Sequence, residues 1–500
     1  MRIRGFVPVL LLVSANTMMT SCASAPEVEH PDLSVGAPED WTGREGGGEV
    51  PRHWPRGWWY DFGDERLDAL VDEALSRSFD ILDALARVEA AIAQARIAGA
   101  GLSPRAGFTF DGARQKQTFV GIDIPGQDGL LTTRFNRFDA QFNLSWELDV
   151  WGRIRAGHES ALADLQASEA DLRGARQSLV AQICRTWFGV VEARQQLQLA
   201  RATATSFQTS SGWIRERYQR GLRPPLDLRL SLSNFSAAEA LVHRREVELD
   251  SLTRQLEILV GRYPSGDVDS LLGESSELGQ LTANVPAGLP TDLLRRRPDI
   301  VFAERQLASS GALLRQARAA LLPRLSLTAG GGSVSDELKD LVDPDFSVWS
   351  LGGNLTQPLF EGGRLVAQVD LANARSYQAL ATYGNTVLRA YREVESALAA
   401  EGLLTQRETA LADAAEQSRG ARSLAEEQYR NGLVDVLVLV ESQRRELEAE
   451  SELLAVRRQR FETRVDLHKA LGGGFLPKPH KQPSRNRRGL AEAEQSWSRE

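Results

Sequence analysis

Six histidines and two cysteines are the side chains of this chain best suited to ligate a metal or attack a substrate. His30, His53, His158, His243, His468 and His480 are scattered, with no pair at i, i+4 and none beside a cysteine, so the usual zinc spacings are missing. GxxxxGK[ST], GxSxG and HExxH do not occur. Gly330-Gly331-Gly332 follows a strand-like run but leads into SVSDELKD with no lysine placed for a phosphate, and it reads as a loop at the outer end of a hairpin. The formal net charge of −8 gives no electrostatic case for nucleic acid, and the one strongly basic run, Lys478 to Arg488, lies in a proline-containing tail. No catalytic residue, metal ligand or cofactor is expected, which leaves one modifiable thiol and residues that shape a path.

That thiol is Cys22. Arg2 and Arg4 precede the apolar run Phe6 to Val13, and small residues lead into Thr20-Ser21-Cys22, the order of a secretory signal peptide. The run is too short for a permanent spanning helix. The stretch up to Cys22 resembles a bacterial lipobox, with Met19 in place of the usual Leu. The resemblance implies cleavage before Cys22 and diacylglycerol on its sulfur; Ala23, rather than Asp, implies sorting to the outer membrane. The alternative is an ordinary signal peptide with an incidental cysteine. Cys184 falls inside a helical pattern and reads as a small buried apolar residue.

The elements that position everything else are written twice. ERYQRGL at Glu216 to Leu222 returns as EQYRNGL at Glu427 to Leu433, an offset of 211 shared by Leu144 and Leu355, Arg153 and Arg364, and Gly261 and Gly472. Upstream the offset is 219, pairing Phe79-Asp80-Ile81 with Pro298-Asp299-Ile300, so eight residues are gained between Pro104 and Leu144. A register held this long describes two copies of one structural unit. Proline is absent from Gly126 through Arg223, from Leu226 to Tyr263 and from Leu359 to Phe475, which permits long helices there. Leu165, Leu172 and Leu179 recur every seven residues, a coiled-coil stripe. Helices are expected over Gly152 to Gln219 and Gly363 to Arg430, with antiparallel returns over about Leu226 to Val260 and Val436 to Leu471, Gly221 and Gly432 acting as stops between them. Phe138, Ala140, Phe142, Leu144 and Trp146 alternate with polar residues, as do Trp349, Leu351, Gly353 and Leu355, while Ala106, Phe108 and Phe110 match Leu325, Leu327 and Ala329. Two strands per half make four, too few to close a membrane barrel, since bacterial barrels start at about eight. If these strands span a bilayer, the chain must oligomerise; the alternative is a soluble hairpin packed on a core.

LPTDLLRRRPDIVFA at Leu289 to Ala303, Trp58-Trp59 followed by FGDERLDALVDEAL, QPLFEGGR at Gln357 to Arg364 and DLHKALGGGF at Asp466 to Phe475 carry a resemblance to a known family. Over about residues 55 to 475 the chain resembles the outer-membrane efflux proteins, the TolC-like exit ducts, and their lipid-anchored branch serving resistance-nodulation-division pumps. The resemblance implies a mainly α protein with a membrane β-barrel portion: a homotrimer whose twelve strands, four per protomer, line a barrel in outer-membrane lipid and continue into a long periplasmic α-helical barrel. It also implies a periplasmic adaptor, an inner-membrane proton-driven pump, and passive conduction of drugs or toxic compounds. On this reading, residues 1–21 are a signal peptide, 22–60 a lipid-anchored extended segment, 61–264 and 287–474 the two repeats, 265–286 a linker and 475–500 a polar tail.

In that branch the return helix carries a leucine and, four residues later, an acidic residue ringing the closed periplasmic entrance. The resemblance places them at Leu437 and Glu441, where the family usually has Asp. Asp227, in the first half, is a further candidate gate carboxylate. The hairpin tips, Tyr218, Gly221, Leu222, Tyr429, Gly432 and Leu433, are expected to receive the adaptor. Arg223-Pro224-Pro225 should stiffen the first return, leaving the second hairpin more mobile. The rival readings are an exit duct for type I protein secretion and a non-conducting coiled-coil envelope lipoprotein.

Overall fold

The computed structural model describes residues 41–42, 57–119, 131–273, 277–279, 281, 285 and 290–473. The signal peptide, Cys22, most of the expected anchored segment and the tail from 475 lie outside the described residues, and the 265–286 linker is described only in part.

After a 3-10 turn at Trp58–Phe62 come α1 (Glu65–Arg77), α2 (Phe79–Ala100), β1 (Arg105–Phe119), β2 (Leu131–Leu148), α3 (Arg153–Gln219) and α4 (Pro225–Val260). The short α5 (Val268–Leu272) precedes α6 (Pro290–Arg296), α7 (Pro298–Ala319), β3 (Arg324–Ser335), β4 (Ser347–Thr356), α8 (Arg364–Arg430) and α9 (Val436–Ala470). α3 and α8 are each 67 residues long, with both ends 211 positions apart, and α2 and α7 are each 22 residues long, offset by 219. At about 1.5 Å per residue each long helix runs on the order of 100 Å. The start of α3 is written locally: Gly152 takes φ 76°, and the Asp149 carboxylate accepts from the amides of Ile154 and Arg155 at 2.9 and 2.8 Å.

Among the described residues the chain forms two compact units. One, from 84–171 and 301–386, contains a four-stranded sheet in the order β1-β2-β3-β4, with every neighbouring pair antiparallel. Directly paired residues share a face. Register therefore sets Phe108, Phe142, Gly331 and Trp349 in one row and Ala106, Leu144, Ala329 and Leu351 in the next. The opposite face carries Gly107, Asn143, Gly330 and Ser350, then Arg105, Ser145, Thr328 and Gly352. The apolar face is uncovered in the protomer, with Trp349 84% exposed, and β1 and β4 are both edges. The eight-residue gain lies in the first hairpin, whose strands of 15 and 18 residues exceed the 12 and 10 of the second.

Gly330-Gly331-Gly332 is not a loop, contrary to the expectation from sequence. All three sit inside β3, and a Cβ on Gly332 would lie 2.0 Å from the Ala140 carbonyl oxygen. β3 lies against β2 too closely there for a side chain.

The other unit comprises 41–83, 172–300 and 387–473. Its core packs Trp58, Leu67 and Val71 against Ile183, Trp187 and Val191 of α3, Leu256 of α4 and Val465 of α9. Asp64 serves two elements, capping α1 and accepting from the Trp187 indole at 2.9 Å. Cys184 is buried in this core, as its helical pattern predicts. Among the described residues no helix is long and apolar enough to cross a membrane.

Candidate functional site

The repeated turns close α3 and α8 with the same pair of bonds. Gly221 donates its amide to the Tyr218 carbonyl and Leu222 to that of Arg217, both at 2.9 Å; Gly432 donates to Tyr429 at 3.0 Å and Leu433 to Gln428 at 2.8 Å. This stop needs a left-handed residue, supplied by Gly221 at φ 72° and Gly432 at φ 75°. Each turn then presents a leucine to solvent, Leu222 67% and Leu433 73% exposed.

The two tyrosines differ. Tyr218 is 39% exposed, whereas Tyr429 is fully buried among Ile214, Val436 and Leu439. The Arg217 guanidinium lies 4.7 Å from the Tyr429 ring centroid and that of Arg223 5.8 Å away. Burial pushes the Tyr429 phenol above its usual range, and its hydroxyl has no hydrogen-bond partner among the described residues. Within the protomer the Tyr429 side chain therefore pins one hairpin to the other. The repeat positions of Ile214 and Arg217 are Ala425 and Gln428, a smaller apolar residue and an uncharged one.

A second tie lies beside the first. Arg223, ahead of α4, donates to the Asp435 carboxylate at the start of α9 and lies 3.7 Å from Asp227. The hydrogen bond to Asp435 raises the Arg223 pKa above the ordinary arginine value. Arg217 donates to the Arg430 carbonyl at 2.8 Å. Farther along, buried Gln443 donates to Ser206 and Ser210 at 2.9 and 2.8 Å. Two apolar-lined helical hairpins are thus joined by a small polar cluster at their tips.

Leu437 and Glu441 lie one turn apart on the same side of α9, as expected, with Leu437 65% exposed. Glu441, however, is not a lone carboxylate. Arg444 and Arg445 reach it at 2.9 and 2.7 Å, and their hydrogen bonds hold its pKa down to about 2. Arg444 also reaches Glu448. Asp227 is gathered to Arg223 at 3.7 Å, its side chain only 14% exposed. Reading the sequence did not single out Arg217 or the Arg223–Asp435 pair. Their signal was a break in the repeat: Arg223 stands at the position of Val434, and Asp435 at that of Pro224.

A model of the outer membrane efflux protein family matches residues 70–262 and 289–473. The chain belongs to the outer membrane efflux protein family. Pyoverdine export outer membrane protein OpmQ of Pseudomonas putida is 32% identical over 424 residues, 84% of this chain and 88% of that protein. Outer membrane protein OprJ of Pseudomonas aeruginosa is 33% identical over 457 residues, 91% and 93% of the two chains. The structure of the outer-membrane channel OprN matches with a TM-score of 0.83 at 28% identity, covering 90% of this chain and 99% of that one. This member of the family therefore has the fold of an outer-membrane channel, resides in the outer membrane and works in efflux. Its family is one of ducts rather than enzymes. Among the described residues no group of three or more His, Cys, Asp or Glu is placed to hold a metal ion.

Proposed function

We propose that three copies of this chain form the exit duct of a tripartite efflux system, passively carrying small organic molecules delivered by a periplasmic adaptor and a proton-driven inner-membrane pump. Each copy contributes four strands to a twelve-stranded barrel, and Cys22 carries the lipid that anchors it. One observation carries the reading: the sheet has an uncovered apolar face, a polar opposite face and two unpaired edges. Exposed edges invite pairing with another copy, and four strands lie far below the number that closes a barrel. The twelve-stranded count follows the family's trimers rather than strand geometry, which would equally allow eight.

The exposed tip leucines, Leu222 and Leu433, are the apolar points on which adaptor hairpins would seat. Leu437 would form the apolar constriction of the periplasmic entrance. Because Glu441 is flanked by Arg444 and Arg445, three copies would ring that entrance with mixed charge rather than carboxylates alone.

Outer-membrane fractions should yield a trimer that dissociates on heating, and purified protein should conduct in planar bilayers. The L437A/E441A variant should conduct more than wild type. A heat-insensitive monomer without conductance would overturn the duct and leave the envelope-linker reading.

A further inference from the structure

We propose that a cavity of about 710 Å³ between α3, the start of α7, α8 and α9 binds a small multivalent oxyanion, a phosphate or a di- or tricarboxylate. Five cationic side chains line it, Arg185, Arg297, Arg389, Arg392 and Lys469, against three carboxylates. Those carboxylates are already engaged: Asp466 with Arg185, and Asp299 and Glu393 with the buried Arg297 at 2.6 and 2.8 Å. Arg297 also donates to the Ala470 carbonyl at 3.2 Å, which fixes it in the wall. Among the described residues Arg389, Arg392 and Lys469 form no ion pair, so the cavity carries a net positive charge with three cations left over. Ser178, Ser396 and Thr463 add hydroxyl donors to the same lining.

The field inside has a visible consequence. Partial desolvation and the Arg185 guanidinium hold the Lys469 ammonium below the usual lysine range. An oxyanion would reverse that penalty, and guanidinium pairs bind carboxylate and phosphate oxygens two at a time. The volume suits a compact ligand. This site is separate from the gate and the hairpin tips, and its occupancy does not depend on the duct reading.

The experiment is calorimetric titration of the full-length detergent-purified protein with sodium pyrophosphate and, separately, sodium citrate, against sodium chloride of equal ionic strength. Saturable heat from either oxyanion, absent with chloride, is expected, and which of the two binds assigns the ligand to phosphates or carboxylates. R389Q/R392Q should weaken binding by at least about tenfold, the loss of two charge-assisted contacts. R215Q, which removes an exposed arginine elsewhere on α3, should bind as wild type. Both variants should retain the wild-type melting temperature without ligand, which separates loss of a site from loss of fold. No saturable heat in wild type, as when a neighbouring copy's carboxylates already fill the cavity, overturns the proposal. So does binding by R389Q/R392Q equal to wild type.

Discussion

The tie between Arg223 and Asp435 joins the residue just ahead of one hairpin's return helix to the start of the other's, so cutting it should loosen the two hairpins of a protomer. Arg223 is 22% and Asp435 66% exposed at the side chain, which makes this a partly screened ion pair worth about 1 kcal/mol rather than a buried one. Arg223 also faces Asp227 at 3.7 Å and the Tyr429 ring at 5.8 Å, adding about 0.5 kcal/mol. Three copies in a duct would place about 4.5 kcal/mol on the closed side, so R223A should raise the open-to-closed ratio by about three orders of magnitude. D435A removes only the ion pair and should raise it less. The assay is single-channel open probability in planar bilayers for wild type, R223A, D435A and the double variant, read as a cycle in which the double variant opens little more than R223A. If both singles stay within about threefold of wild type, or their effects multiply independently, the pair does not hold the hairpins and the reasoning fails.

Other expectations follow from single side chains. Y429F deletes a buried hydroxyl without a partner and should leave the melting temperature at or slightly above wild type, while Y429A empties the pin and should cost about 3 to 5 kcal/mol in chemical unfolding. Glu441 has a depressed folded pKa, so its ion pairs persist above the unfolded carboxylate value and are lost only as pH falls through about 2; reversal potentials in a KCl gradient should therefore show no Glu441-dependent change between pH 7.5 and 5. Asp68 is raised to about 6 by burial and by Asp64, Asp72 and Glu65, so its ionised form costs stability above pH 6 and the cost disappears below about pH 4. D68N should raise thermal stability at pH 7.5, by about 1 kcal/mol once solvent screening of this part-exposed group is allowed for, and lose that advantage at pH 4. G332V would drive a side chain into the Ala140 carbonyl and should abolish the heat-dissociable form on gels.

What the sequence displays clearly is what one element settles by itself. Proline spacing and the glycine stops placed the long helices within a residue or two, because a helix ends where its own chain stops permitting it. Period-two alternation found the strands and their apolar face. It misjudged Gly330-Gly331-Gly332, because three glycines look like a turn unless one knows that β2 passes against them. The pairing of Glu441 with Arg444 and Arg445 is also legible, since the two arginines stand three and four residues on, at helical spacing.

The duplicated turns make the deeper point. Duplication equates positions and leaves their neighbours free to diverge, and Tyr218 and Tyr429 show the result: one stays at the surface, while the other is clamped by Ile214 and two arginines. The second return lacks the prolines of the first, which favours its movement, yet Tyr429 and Asp435 fasten that same segment to the first hairpin. Freedom of backbone and restraint by side chain therefore coincide at one place, and such a segment is suited to being held shut and then released. Cross-linking the second hairpin to its neighbour near Tyr429 should thus block efflux more than cross-linking near Tyr218. Equal loss of efflux from the two cross-links would mean that both hairpins move together and that the asymmetry between the tips serves packing alone.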